Sequence, residues 1–177
     1  MRERLTRTQW IDHGLRTLRD EGAGGLRADR LAKSLGVSRG SFYWHFADLA
    51  AFHAALLDAW RARMTEAVIR RIESEGERPE SRARALIRRA LSAEDGLERA
   101  VRAWAAEAPE AAKAARVVDE RRLAYLERLF AALGRPRIRA RALYWAYLGR
   151  VTRPPGEPPL SAAEIEALAD LFLGAAG

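Results

Sequence analysis

Apolar residues along this chain recur every three or four positions, and Val, Ile and Thr never form an alternating run, while Ala, Leu, Arg and Glu dominate. That pattern predicts helix almost throughout. Ile11, Leu15 and Leu18 make the stripe of a first helix over about residues 8–21, with Thr6 or Thr8 as N-cap and Gly22, Gly24 and Gly25 ending it. A short second helix covers 28–35, with Leu31, Ala32 and Leu35 turned inward. A third covers 39–46 behind Ser38 as N-cap. Asp48 caps a long fourth helix to about residue 74, on which Phe52, Leu56, Trp60, Met64, Val68 and Ile72 share a face.

After a break at 75–79 come two shorter helices over 81–91 and 96–108, the second carrying Val101 and Trp104. Pro109 opens a helix that runs to 133, where Gly134 and Pro136 stop it. A helix over 138–148 follows, then a Pro- and Gly-rich linker over 153–159. Ser161 and Glu164 form a capping box for the last helix, which carries Ile165, Leu168, Leu171 and Phe172. The expected fold class is all-α, with about nine helices and no internal repeat.

The third helix carries the candidate chemistry. Phe42 and Phe46 lie four apart and share a face, expected to pack on Ile11, Leu31 and Leu35. Arg39 with Tyr43, and Ser41 with His45, fall on faces pointing away from the core. An exposed Tyr43-Trp44-His45 run is costly unless a partner covers it. A short helix, a Gly-containing turn and a second helix form the arrangement that places a recognition helix in the DNA major groove. The hydroxyls of Ser38, Ser41 and Tyr43 and the ring of His45 suit phosphate oxygens. Arg39 suits guanine O6 and N7, and Gly40 lets the backbone approach the base edges. The competing reading is a packed aromatic cluster, and for Trp10 packing is the expectation.

Charge agrees with this placement. Residues 1–47 hold nine Lys/Arg against five Asp/Glu, and the other 130 hold 22 against 19, so excess positive charge gathers in the first quarter, where phosphate attraction would use it. The chain has no cysteine, which removes disulfides and thiolate metal sites. Its apolar runs fall far short of the roughly 20 residues needed to cross a bilayer, and the charged N-terminus lacks a signal peptide's apolar stretch. The expectation is a cytoplasmic protein without membrane association.

Leu31-Ala32, Leu35-Gly36-Val37-Ser38, Gly40-Ser41, Phe42-Tyr43 and His45-Phe46 resemble the DNA-binding domain of the TetR/AcrR family of bacterial transcriptional regulators, over roughly residues 5–60. The resemblance implies a three-helix helix-turn-helix domain over 1–47 and a helical regulatory and dimerisation domain over 48–177. It assigns DNA contact to the positions of Ser38, Arg39, Gly40, Ser41, Tyr43, Trp44 and His45. Two positions depart from the family pattern. Arg27 stands where a Thr or Ser usually caps the second helix and touches a phosphate, which Arg27 could still reach. Leu49 stands where a Lys often holds the backbone. The arginines of the N-terminal arm, Arg2, Arg4 and Arg7, are candidates to compensate.

By the same resemblance the larger domain binds a small-molecule effector, dimerises through its last two helices and, by family default, represses. Tyr144, Trp145, Tyr147 and Leu148 surround their helix, so it has no free solvent face. A second copy of the chain would cover the surplus, with burial inside one subunit as the alternative. The expected interface is Leu143, Tyr144, Tyr147, Leu148, Leu168 and Phe172. Trp60, Met64, Trp104, Tyr125 and Phe130 are candidates to line an apolar effector pocket, against ordinary core packing. Arg121 and Arg122 would suit an anionic ligand or solvent. Effector binding would tilt the fourth helix and change the spacing of the two DNA-reading heads.

Two rival functions remain. A helical interaction protein of the same fold with weakened or lost DNA binding fits the departures at Arg27 and Leu49. An enzyme fits poorly. His13, His45 and His53 are the only histidines, none is spaced with carboxylates for a metal, and no phosphate loop or nucleophile motif is present. Neither cofactor nor catalytic residue is expected.

Overall fold

The computed structural model describes residues 5–76, 78–92, 96–153 and 158–174. Arg2, Arg4 and the middle of the 153–159 linker lie outside the described residues. Among those described there are nine helices and no strand.

Helix α1 (Arg7–Glu21) starts from a reciprocal cap: the Thr6 hydroxyl accepts from Gln9 N at 3.2 Å, and Gln9 Oε1 accepts from Thr6 N at 2.7 Å. A 3-10 turn, Ala23–Gly25, leads to α2 (Ala28–Ser34) and then α3 (Arg39–His45). Leu35 and Phe46 are the C-caps of these two short helices. Gly36, between them, has φ +65°, and a Cβ there would meet nothing within 4 Å. Backbone conformation alone requires glycine at this turn.

Helix α4 runs continuously over 49–75 as Leu49–Arg61, a π-type segment Ala62–Glu66, and Ala67–Glu75. Asp48 caps it, accepting from Ala51 N at 2.7 Å. The π segment corrects the expected stripe. Phe52, Leu56 and Trp60 are buried as predicted, but beyond them the buried positions are Thr65, Ile69 and Ile72, while Met64 and Val68 are only half-buried. One turn closed by i→i+5 bonds takes up an extra residue, so the buried face jumps from Trp60 to Thr65.

The remaining helices are α5 (Pro79–Ser92), α6 (Gly96–Glu107), α7 (Pro109–Ala132), α8 (Arg137–Val151) and α9 (Ala162–Leu173). The capping box at Ser161 and Glu164 forms as expected. No helix among the described residues is long and apolar enough to cross a membrane.

The chain packs as two compact units, residues 1–64 with 96–116, and residues 65–95 with 117–177. These are not the segments 1–47 and 48–177 read from the sequence, because α6 packs on α1 within the first unit. There α1 also meets α4 closely: a Cβ on Gly14 would lie 2.5 Å from Phe52 Cζ and 2.8 Å from Leu56 Cδ2. Trp60 Nε1 donates to Glu98 Oε2 at 3.1 Å, and Arg102 donates to Glu98 Oε1 at 2.9 Å. Glu98 is fully buried, so its charge is held by a partner charge and hydrogen bonds rather than by water.

The second unit has its own core, with Ile72, Ile87, Phe130, Leu143 and Ala169 at its centre. Arg84 joins α5 to α9 through Glu166 at 3.2 Å and Asp170 at 2.8 Å, and Arg88 also pairs with Glu166. These arginines hold the Glu166 carboxyl below the usual carboxylate range, the Arg88 hydrogen bond contributing most.

Candidate nucleic-acid interface

Phe42 and Phe46 anchor α3 as expected, but against aromatic rings. Phe42 meets Trp10 at 5.5 Å, Phe46 at 5.3 Å and Phe52 at 5.2 Å between centroids, and Phe46 meets Phe52 at 4.9 Å. All four rings are buried. Ile11 and Leu31 are buried in the same unit, whereas Leu35 is only half-buried. Ring contacts at these distances, edge-to-face in all but the tilted Phe42–Phe46 pair, fix the rotation of a helix only seven residues long.

That rotation turns Arg39, Gly40, Tyr43 and Trp44 outward, Tyr43 45 % and Trp44 70 % exposed. Arg39 Nη2 donates to the Tyr43 hydroxyl at 3.0 Å, and its guanidinium lies 5.4 Å from the Tyr43 ring centroid. The hydrogen bond to Tyr43 is the main cause of a raised Arg39 pKa. Ser38 has the backbone of an N-cap, but its hydroxyl makes no capping bond. It is exposed, and Ser41 is half-buried.

Gly40 has an ordinary helical φ, and a Cβ added to it would meet only Ser38 Oγ, at 3.8 Å. Nothing within the protein requires glycine there, although glycine in a helix costs about 1 kcal/mol relative to alanine.

His45 is placed differently from its neighbours. It is half-buried, and its Nε2 donates to the Leu5 carbonyl at 2.7 Å, tying the end of α3 to the segment ahead of α1. Arg7 lies over the Phe46 ring at 5.1 Å in the same place. Sequence reasoning missed this tether, since no local spacing links residues forty apart. Arg27 is the N-cap of α2 without a side-chain cap bond, exposed, and 3.9 Å from Asp29. Leu49 is the first residue of α4 and half-exposed.

The other candidate sites are distributed between the units. Trp60, Met64 and Trp104 belong to the first unit, Tyr125 and Phe130 to the second, and all but Met64 are buried. Arg121 pairs with Glu66 at 3.2 Å, and Arg122 donates to Thr65 Oγ1 at 2.9 Å. Leu143 and Tyr144 are buried in the second unit's core, where Tyr144 donates to Asp119 at 2.7 Å. Tyr147, Leu148, Leu168 and Phe172 pack partly against that core. The large apolar side chains left exposed on α8 and α9 are Ile138 (59 %), Trp145 (60 %) and Leu171 (69 %).

A ring-anchored α3 behind the α2–α3 turn, with an outward face of arginine, glycine and aromatic side chains, makes a helix-turn-helix. Residues 11–56 match the sequence model of the bacterial regulatory proteins of the tetR family. No curated protein sequence matches the chain. Similar solved structures include the reduced form of NemR from E. coli (19 % identity, 94 % of this chain and 93 % of that one, TM-score 0.72). A putative TetR-family transcriptional regulator from Mesorhizobium loti is 22 % identical over 94 % and 92 %, with TM-score 0.73. The fatty acid degradation regulator FadR from Bacillus halodurans is 17 % identical over 99 % and 98 %, with TM-score 0.71. The tetR-family match thus covers the helix-turn-helix segment, and over its whole length the chain shares the fold of these structures.

Proposed function

We propose that the protein is a cytoplasmic, ligand-responsive repressor that binds a palindromic operator as a homodimer and is released by a small-molecule effector. The observation that carries DNA reading is Gly40, a helical glycine with open space above it and no use inside the protein. It stands between Arg39 and the exposed Tyr43-Trp44 pair, where a backbone can approach base edges while hydroxyls meet phosphates. Ser38, Ser41 and Arg27 supply further phosphate contacts, and His45 acts through the segment at Leu5 that it holds. Ile138, Trp145 and Leu171 support the dimer, being apolar surface that one subunit leaves uncovered. Leu148, Tyr147, Leu168 and Phe172, half-buried on the same two helices, are the further interface residues of this reading, with Leu143 and Tyr144 buried in the core.

Release by an effector rests on family resemblance. Two relatives of the same fold are described as a fatty acid degradation regulator and a reduced form of NemR, and neither description fixes a ligand for this chain.

A gel-shift with the DNA flanking its own gene, repeated across salt concentrations, tests the function. A sequence-selective complex that weakens steeply with salt is expected. Its absence would favour the second reading, a helical interaction protein of this fold, which the uncapped Arg27 and the Leu49 position support.

A further inference from the structure

Tyr43 is held on one side and holds on the other. Its ring packs edge-on against the buried Phe42 at 5.3 Å, and it receives the Arg39 guanidinium by both stack and hydrogen bond. An arginine side chain carries about 2 kcal/mol of rotamer entropy, so one already fixed loses less on binding. The donor inventory is complementary. The Tyr43 oxygen accepts from Arg39 and keeps its own O–H to donate. Arg39 Nη2 has a second N–H, which with Nη1 leaves an end-on fork free.

We propose that Tyr43 is a positioning residue for base reading: its hydroxyl accepts from Arg39 while donating to a phosphate oxygen, and so aims the guanidinium fork at a guanine. The inference rests on the reading that α3 enters the major groove. It goes beyond that reading by coupling a backbone contact to a base contact, so that Tyr43 carries sequence information without touching a base.

The full-length protein first selects its preferred duplex from a random pool. Affinities of wild type, Arg39→Ala, Tyr43→Phe and the double variant are then measured on that duplex and on its single-base substitutions. Arg39→Ala should flatten discrimination at the base pair it reads by about 10-fold or more. Tyr43→Phe keeps the ring and loses the hydroxyl. It should flatten discrimination at that same base pair by roughly 3- to 10-fold, and in the Arg39→Ala background it should add nothing there. Tyr43→Phe that weakens all duplexes equally with discrimination intact, or losses that multiply in the double variant, would overturn the proposal while leaving DNA reading in place. A wild type that selects no duplex removes the DNA-reading function, and this proposal with it. Thermal melting of each variant confirms folding, since both side chains are exposed.

Discussion

The indole of Trp60 and the carboxylate of Glu98, 38 residues apart, are joined by a buried 3.1 Å hydrogen bond inside the first unit. A carboxylate with no exposure persists only while its partners do. Glu98→Ala is expected to destabilise the protein by about 3 kcal/mol. Glu98→Gln should cost less, because an acceptor for Trp60 remains. Urea unfolding measures both, and a loss below about 1 kcal/mol for the alanine variant would show that this contact does not hold α6 in place.

Gly40→Ala should move stability and DNA binding in opposite directions. The methyl has room in the free protein, so the variant should gain about 0.5–1 kcal/mol in thermal or urea unfolding. On DNA the same methyl meets the base edges, and binding should weaken at least several-fold. A variant that binds as tightly as wild type would remove the close approach.

Gly14→Ala is the contrasting case. Helix propensity favours it by about 1 kcal/mol, but its Cβ would collide with Phe52 and Leu56 on α4. Overpacking of this kind costs about 1–3 kcal/mol. The net change should be a loss, read as a lower melting temperature, and an unchanged or higher one would mean that α1 and α4 separate without cost.

Exposure of apolar surface gives a test of assembly. Trp145→Asp, alone or with Leu171→Lys, should yield a monomer in analytical ultracentrifugation without unfolding the chain, while Tyr144→Phe should leave the assembly intact. A Trp145→Asp protein of wild-type mass would place the dimer contact elsewhere.

Stability should also depend on His13. Its Nε2 lies 2.7 Å from Ser34 Oγ, and its pKa is lowered, first by burial and then by Arg16. Because Ser34 already donates to the Leu31 carbonyl, the imidazole is the donor. A histidine with a lowered folded pKa binds a proton more readily when unfolded. Its stabilising contribution is therefore complete above about pH 6.5 and declines as pH falls below that value. Between pH 8 and pH 5 the melting temperature should fall further for wild type than for His13→Gln. Equal slopes would remove His13 from the pH response.

What was legible in the sequence was mostly local. Thr6 (beside Thr8 as the alternative), Asp48, and Ser161 with Glu164 announce helix starts, and caps form at Thr6, Asp48 and Ser161. Arg39 and Tyr43 share a face by spacing alone. The stripe on α4 was legible only to Trp60. Met64 and Val68 continue a regular pattern as well as Thr65 and Ile69 do, and only the closing of the turn decides between them. Val101 and Trp104 show that α6 buries a face, but not that the face belongs with α1. On α8 the aromatics at 144, 145 and 147 point in several directions, and packing alone sent Tyr144 inward and Trp145 outward.

The π segment has one further consequence. Phe52, Leu56 and Trp60 before it, and Ile69 and Ile72 after it, would fall on one uninterrupted α-helical face if a single residue between 61 and 65 were absent. Helix α4 is therefore one residue longer than its packing needs. Deletion, usually the harshest change a helix can suffer, should be tolerated here: losing Ala62 would heal the turn, whereas losing Ala59 or Arg70 would shift the helical register of the next turn by about 100°.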